Sequence, residues 1–277
     1  MSRILVADDE SALRSLLEHV LVAAGYEVLS VADGTAALEL LGREPVDLLL
    51  VDVWMPGLDG LELLERLARE GRSVRAIVMT GDAAPETVLR AIRQQAHQYI
   101  QKPFEPADLL RLVRRALATP AGGRPIEVIS AVPEWVELLV PCERAAAERI
   151  HEFLMQLESD LPPEARDAVG SAFRELLLNA VEWGGGLDPA KQVRISCLRG
   201  RRLLIYRISD PGRGFRLEDL PHAAVGNDEG DPLRHTEVRE TLGMRPGGFG
   251  ILMARALVDE LIYNEARNEV VFLKYLG

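Results

Sequence analysis

Five short apolar runs in the first 118 residues, at 4–7, 28–31, 48–51, 76–79 and 99–100, each lead into a stretch with helical spacing. Leu13, Leu16, Leu17, Val20 and Leu21 recur on one helical face after the first run, and Leu109, Leu112, Val113 and Leu117 after the last. Such regular alternation predicts an α/β domain, a doubly wound parallel sheet of five buried strands with helices on both faces. In a sheet of that kind, ligands bind beyond the carboxyl ends of the strands, where the strand order reverses.

The residues expected at those ends carry chemistry. Asp8 and Asp9 follow the first run, Asp52 ends the third, Thr80 ends the fourth and Lys102 follows the fifth. Clustered carboxylates without His or Cys suit a hard cation, and Mg²⁺ with retained waters fits best. A Lys and a Thr opposite them supply a point charge and a hydroxyl donor for phosphoryl oxygens. An Asp beside Mg²⁺ can act as a nucleophile and form an aspartyl-phosphate. Taken singly, a strand-end Asp caps a turn or a helix and a Lys-Pro marks a loop. Five such residues in order along the strands are not explained that way.

Residues 1–118 resemble the receiver domains of two-component response regulators. The resemblance rests on Asp8-Asp9-Glu10, on Asp52 within Val-Asp-Val-Trp-Met-Pro-Gly-Leu-Asp-Gly, on Thr80 in Met-Thr-Gly and on Lys102-Pro103. It implies that Asp52 accepts the phosphoryl group, and that Asp8, Asp9, Asp52 and the backbone carbonyl of Trp54 hold Mg²⁺. It further implies that Thr80 and Lys102 bind the phosphoryl group, that Tyr99 changes rotamer on activation and that the Lys102–Pro103 bond is cis. Gln95-Ala96 stands where many receivers have Gly-Ala, and Trp54 and Asp82 occupy positions that tune phosphoryl lifetime.

A turn-rich stretch, 119–125, is read as a linker, and beyond it the pattern changes. Strands or a hairpin are expected over 126–140, helices over 143–158 and 163–183, strands over 192–197 and 203–209, a helix over 250–261 and a strand over 269–275. The helix over 163–183 has one apolar stripe, formed by Val169, Ala172, Phe173, Leu176, Leu177, Ala180 and Val181. A long polar segment, 216–245, lacks core periodicity. The whole of 126–277 reads as an α+β sandwich, an antiparallel sheet with helices on one face.

Glu175, Asn179 and Trp183 lie at i, i+4 and i+8 on a flank of that stripe. Asp210-Pro-Gly-Arg-Gly214 makes a tight turn after a strand, and Pro246-Gly-Gly-Phe-Gly250 opens a helix whose free N–H groups can receive phosphates. Each motif alone is an ordinary hairpin or helix start. Their order resembles the Bergerat-fold ATPases, which include gyrase, the histidine kinases and the anti-sigma-factor serine kinases. Glu175-Leu-Leu-Leu-Asn179-Ala-Val-Glu182 looks most like the last branch. The resemblance implies ATP with Mg²⁺ on Asn179, Glu175 as catalytic base and Asp210 on the adenine amino group. It places Gly212 and Gly214 beside the nucleotide, Gly248 and Gly250 on the phosphates, and 216–245 as a lid. Trp183 replaces a His common in this branch, and Asp228, Glu229 and Asp231 make the lid long and acidic. His151 lacks the basic and Pro residues that follow a phosphoacceptor His and is read as a surface helix residue.

A net charge of -11 argues against a nucleic-acid or anionic-membrane surface. The Arg runs at 111–115 and 199–202 read as a solvated helix face and a hairpin turn. Cys142 and Cys197 have no CxxC partner and read as free thiols in a reducing cytosol. No apolar run approaches the ~18 residues of a membrane span, so a cytoplasmic protein is expected. The expected function is a response regulator that receives its phosphoryl group from a histidine kinase or phosphotransfer protein. Its output would be an ATP-dependent protein kinase acting on Ser/Thr of an anti-anti-sigma-like partner. The alternative is a module that sequesters a sigma-factor-like partner with little catalysis, and a homodimer is among the assemblies considered.

Overall fold

The computed structural model describes residues 1–82, 84–118, 124–216, 224, 233–241 and 248–277, with the backbone alone of 239. Most of the 119–125 linker and of the 216–245 lid, with Asp228, Glu229 and Asp231, lies outside the described residues. The chain divides into two units, Met1–Gly123 and Arg124–Gly277.

In the first unit the strands are β1 (Arg3–Ala7), β2 (Glu27–Val31), β3 (Leu48–Asp52), β4 (Ala76–Thr80) and β5 (Gln98–Gln101). They form one parallel sheet in the order β2-β1-β3-β4-β5. The helices are α1 (Ser11–Ala23), α2 (Gly34–Arg43), α3 (Gly60–Arg69), α4 (Pro85–Arg93) and α5 (Pro106–Ala118). The chain steps one way from β1 to β2 and the other way from β2 through β5. Right-handed crossovers therefore put α1 on one face and α2, α3 and α4 on the other. Leu17 and Leu21 of α1 and Leu109, Val113 and Ala116 of α5 share a core with Ile4, Val6, Leu48, Leu50, Ile77 and Met79. Every residue of β3 and β4 is buried, as continuous apolar runs require. Strand β2 departs from expectation: as a sheet edge it is largely half-exposed instead of buried. The Lys102–Pro103 bond is cis, as the resemblance implied.

The second unit holds β6 (Glu127–Val132), β7 (Trp135–Pro141), α6 (Arg144–Leu157), α7 (Pro163–Asn179), β8 (Gln192–Arg199) and β9 (Leu203–Ser209). It continues with α8 (Arg234–Thr241), α9 (Gly250–Leu257), β10 (Glu260–Tyr263) and β11 (Glu269–Tyr275). Its six strands are antiparallel, in the order β10-β11-β9-β8-β7-β6. Alternate residues Val136, Leu138, Val140, Ile195, Tyr206, Ile208 and Phe272 are buried under the helices.

Several expectations need correction here. The helix over 250–261 ends at Leu257, because Val258 is extended (φ -111°, ψ 161°) and 260–263 pair with β11. The helix over 163–183 changes character at Ala180, where a π-helical segment, Ala180–Gly184, takes over. Helix α8 lies within the polar segment 216–245, where no helix was specified. His151 is half-buried: its Nε2 lies 3.1 Å from the Gly170 carbonyl and its ring stacks on Phe173. Arg199 belongs to β8, and its Nη1 donates to the Leu157 carbonyl at 2.6 Å. Both cysteines are free and buried. Among the described residues, no helix is long and apolar enough to cross a membrane.

Candidate functional sites

The strand order reverses between β1 and β3, and the carboxylates gather there. Single oxygens of Asp8, Asp9 and Asp52 all lie within 4.8 Å of one another. Asp8 is fully buried, Asp52 nearly so, and Asp9 faces solvent. From the end of β5, Lys102 Nζ reaches Asp8 Oδ2 at 2.6 Å and Asp52 Oδ1 at 2.9 Å. Burial pushes the Asp52 carboxyl above its ordinary range, while Lys102 holds it back. For Lys102, burial acts to lower the amine's pKa, but the bonds to Asp8 and Asp52 outweigh it and leave it raised. Three carboxylates against one ammonium leave an excess of negative charge, and the donors are all oxygen. That set fits Mg²⁺.

Thr80, fully buried at the end of β4, receives the Asp82 N–H on its Oγ1 at 3.1 Å. The Asp82 carbonyl in turn accepts the Tyr99 hydroxyl at 2.8 Å. The Asp82 carboxylate accepts from Ala84 N at 2.9 Å and Thr87 Oγ1 at 3.1 Å, which ties the loop to the start of α4. Tyr99 is buried, and burial, with the Asp82 charge, pushes its phenol up to about 12. Trp54, two residues past Asp52, is 56% exposed. The structure thus brings Asp8, Asp9, Asp52 and Lys102 together, and links Thr80 to Tyr99 through Asp82.

In the second unit, α7 carries Glu175 and Asn179 toward the first residue of α9. A β-carbon on Gly250 would lie 2.7 Å from Glu175 Oε2 and 3.4 Å from Asn179 Nδ2, so a larger residue there would require the Glu175 carboxylate to shift. Phe249, the cap residue of α9, supplies no side-chain acceptor, which leaves first-turn N–H groups for another acceptor. Gly248 precedes it in a left-handed conformation, φ +96°.

One turn beyond Asn179, the π-helical segment brings Gly184 against Asp210. A β-carbon there would fall 2.2 Å from the Asp210 carboxyl carbon. Asp210 Oδ1 accepts the Gly212 N–H at 2.8 Å, and its own N–H donates to Asn268 O at 2.8 Å. Burial pushes the Asp210 carboxyl up, against the Gly212 bond. Gly214, at φ +78°, packs on the Ala266 carbonyl. α7 and its π-helical continuation therefore run beside both parts of the predicted set: Glu175 and Asn179 lie beside Gly250, and Gly184 lies against Asp210. Sequence reading missed Gly184 and Asn268. The run Gly184–Gly186 after Trp183 was a visible sign of close backbone approach. Asn268, whose Nδ2 donates to Gly212 O at 3.1 Å, left no such sign.

Comparison with known proteins gives matches to both units. The family model for the response regulator receiver domain matches residues 4–114, and that for the histidine kinase-like ATPase domain matches residues 140–274. The DNA-binding response regulator MtrA of Mycobacterium leprae is 32% identical over 183 residues, which cover 66% of this chain and 79% of that protein. The response regulator protein FleR of Pseudomonas aeruginosa is 35% identical over 146 residues, 52% of this chain and 31% of that protein. Among solved structures, a CheY-like receiver domain protein from Methanospirillum hungatei is 32% identical with a TM-score of 0.41, covering 42% of this chain and 94% of that one.

Proposed function

Since the chain belongs to the response regulators, with a receiver domain followed by a histidine kinase-like ATPase domain, we propose that a phosphoryl group on Asp52 controls nucleotide chemistry in the second domain. The observation that carries this reading is the convergence of Asp8, Asp9 and Asp52 within 4.8 Å, beside the Lys102 amine.

In this reading an Asp52 oxygen attacks the phosphorus of the donor, and the bond from phosphorus to the donor's leaving atom breaks as the new O–P bond forms. Asp8, Asp9, Asp52 and the Trp54 carbonyl would hold Mg²⁺, which when bound would supply charge stabilisation to the transferred group. Lys102 neutralises a phosphoryl oxygen, and the Thr80 hydroxyl turns from accepting the Asp82 N–H to donating to that group. Tyr99 follows, since its hydroxyl is held by Asp82. The phosphoryl source is a histidine kinase or phosphotransfer protein.

In the output domain Asn179 would hold Mg²⁺, Asp210 the adenine and the start of α9, Gly248 to Gly250, the phosphates of ATP. Glu175, half-exposed beside Asn179, takes the proton from a Ser or Thr hydroxyl of an anti-anti-sigma-like partner. The deprotonated hydroxyl oxygen would bond to the terminal phosphorus as the bond from that phosphorus to the bridging oxygen breaks, giving the phosphorylated partner and ADP. Acetyl phosphate with Mg²⁺ tests the first step by intact mass. The wild type gains a phosphoryl group and Asp52→Asn does not, whereas equal modification of both would rule out Asp52. Incubation with Mg-ATP and candidate partners tests the second step. Partner capture without turnover would favour the sequestering module instead.

A further inference from the structure

The turn that carries Asp210 is gripped by the hairpin joining β10 to β11. Asn264 ties that hairpin together: its Oδ1 accepts the N–H groups of Asn268 at 3.1 Å and Glu269 at 3.2 Å, and its Nδ2 donates to Asn268 Oδ1 at 2.8 Å. Arg267 takes a left-handed conformation, φ +59°, and its guanidinium lies over the Phe215 ring, 5.8 Å from the ring centre. At one end of the Asp210 turn, Asn268 O accepts the Asp210 N–H at 2.8 Å. At the other end, Ala266 O accepts the Phe215 N–H at 3.2 Å. These are backbone contacts, which do not depend on the side chain at 268.

The Asn268 amide adds what only a side chain can supply. Its oxygen is taken by Asn264, and its Nδ2 donates to Gly212 O, which can only accept, at 3.1 Å. The Gly212 N–H in turn donates to Asp210 Oδ1 at 2.8 Å, while Gly184 backs the same carboxyl. An aspartate has two side-chain torsions, and hydrogen bonds weaken steeply when they leave their line. Holding Gly212 therefore holds Asp210 Oδ1, and this leaves Oδ2 aimed at a ligand. We propose that Asn268 is a positioning residue for nucleobase recognition: through Gly212 it fixes how Asp210 presents its carboxylate to the amino group of adenine. The proposal rests on the assignment of Asp210 to the base made above. Asn268 acts without touching the base, by removing the cost of ordering the Asp210 turn on binding.

Calorimetric titration of the full-length protein tests it, with Mg-ATP and with the Mg complex of purine riboside triphosphate, which lacks the amino group. The wild type should prefer ATP. Asn268→Ala should weaken ATP binding about fivefold, the scale of one neutral hydrogen bond, and leave the analogue at its wild-type affinity, so that the preference shrinks. Asn268→Asp keeps an acceptor for Asn264 but cannot donate to Gly212, and it should behave alike. Circular dichroism melting curves verify that the variants fold. A folded variant that keeps the full preference overturns the proposal. So does equal weakening of both nucleotides, or the failure of both variants to fold, since either marks a merely structural residue. A wild type that binds both nucleotides alike instead removes Asp210 from base recognition, and the proposal falls with that reading.

Discussion

Asp82 shows how a single residue can join two functions. Its N–H holds Thr80, its carbonyl holds Tyr99 and its carboxylate holds Thr87, so whatever turns Thr80 acts on α4 and β5 together. Tyr99→Phe removes one of these bonds. It should cost about 1 kcal/mol of stability, the usual net worth of one hydrogen bond, measurable by denaturant unfolding of the receiver. Modification of Asp52 should persist in that variant, since Tyr99 does not touch the carboxylate cluster. In the ATPase-like domain, the two residues beside Gly250 should separate binding from chemistry. Asn179→Ala should weaken Mg-ATP binding in calorimetry. Glu175→Ala should keep binding but lower turnover by ~10²–10⁴-fold, the usual contribution of a general base. Equal loss of affinity in both variants would contradict the division of roles.

At the scale of elements, the π-helical segment after α7 packs Gly184 against the Asp210 carboxyl. Gly184→Ala would force a methyl group into the Asp210 carboxyl. Overpacking of this kind costs about 1–3 kcal/mol, so this variant should melt earlier and bind nucleotide more weakly. Another junction lies at the end of α6, where buried Glu158 accepts the Tyr206 hydroxyl at 3.0 Å. Its Oε2 lies 3.1 Å from Arg199 Nη1, an ion pair without hydrogen-bond alignment. Burial pushes the Glu158 carboxyl up, more than Arg199 and Tyr206 pull it down. The folded state therefore keeps a proton that the unfolded state releases. Glu158 stabilises the fold fully below its unfolded value, roughly 4.3, and that contribution fades as pH rises through its higher folded value. In thermal melts from pH 4 upward, Glu158→Gln should flatten the fall in the second domain's transition. Parallel curves for wild type and variant would show that Glu158 does not set that slope.

These elements also show what sequence pattern can and cannot give. Strands β3 and β4 were readable because burial on both faces demands unbroken apolar runs. Strand β10 was not, because Leu261 and Ile262 continue the spacing of α9, and only pairing with β11 makes them extended. The receiver residues were readable because each follows a strand. Glu175 and Asn179 were readable from helical spacing, and Gly250 from its glycine-rich context. The contact of Gly184 with Asp210 joins distant segments through a change of helix type, which no local periodicity reports.

For the molecule as a whole, the proposed control of the second domain by Asp52 means that two sites in separate domains share one free-energy balance. A phosphoryl group adds about -1.5 to -2 charges at Asp52. If occupation of the receiver changes nucleotide affinity by some factor, linkage requires that nucleotide change the receiver's affinity for its ligand by the same factor. Allosteric couplings of ~1–3 kcal/mol correspond to changes of about 5–150-fold in affinity. The most direct measurement is calorimetric titration of Mg-ATP into the full-length protein with and without beryllofluoride, in wild type and in Asp52→Asn. The account predicts that beryllofluoride changes nucleotide affinity within that range in the wild type and leaves Asp52→Asn unchanged. Identical affinities in the wild type, under conditions where beryllofluoride demonstrably occupies the receiver, would contradict it.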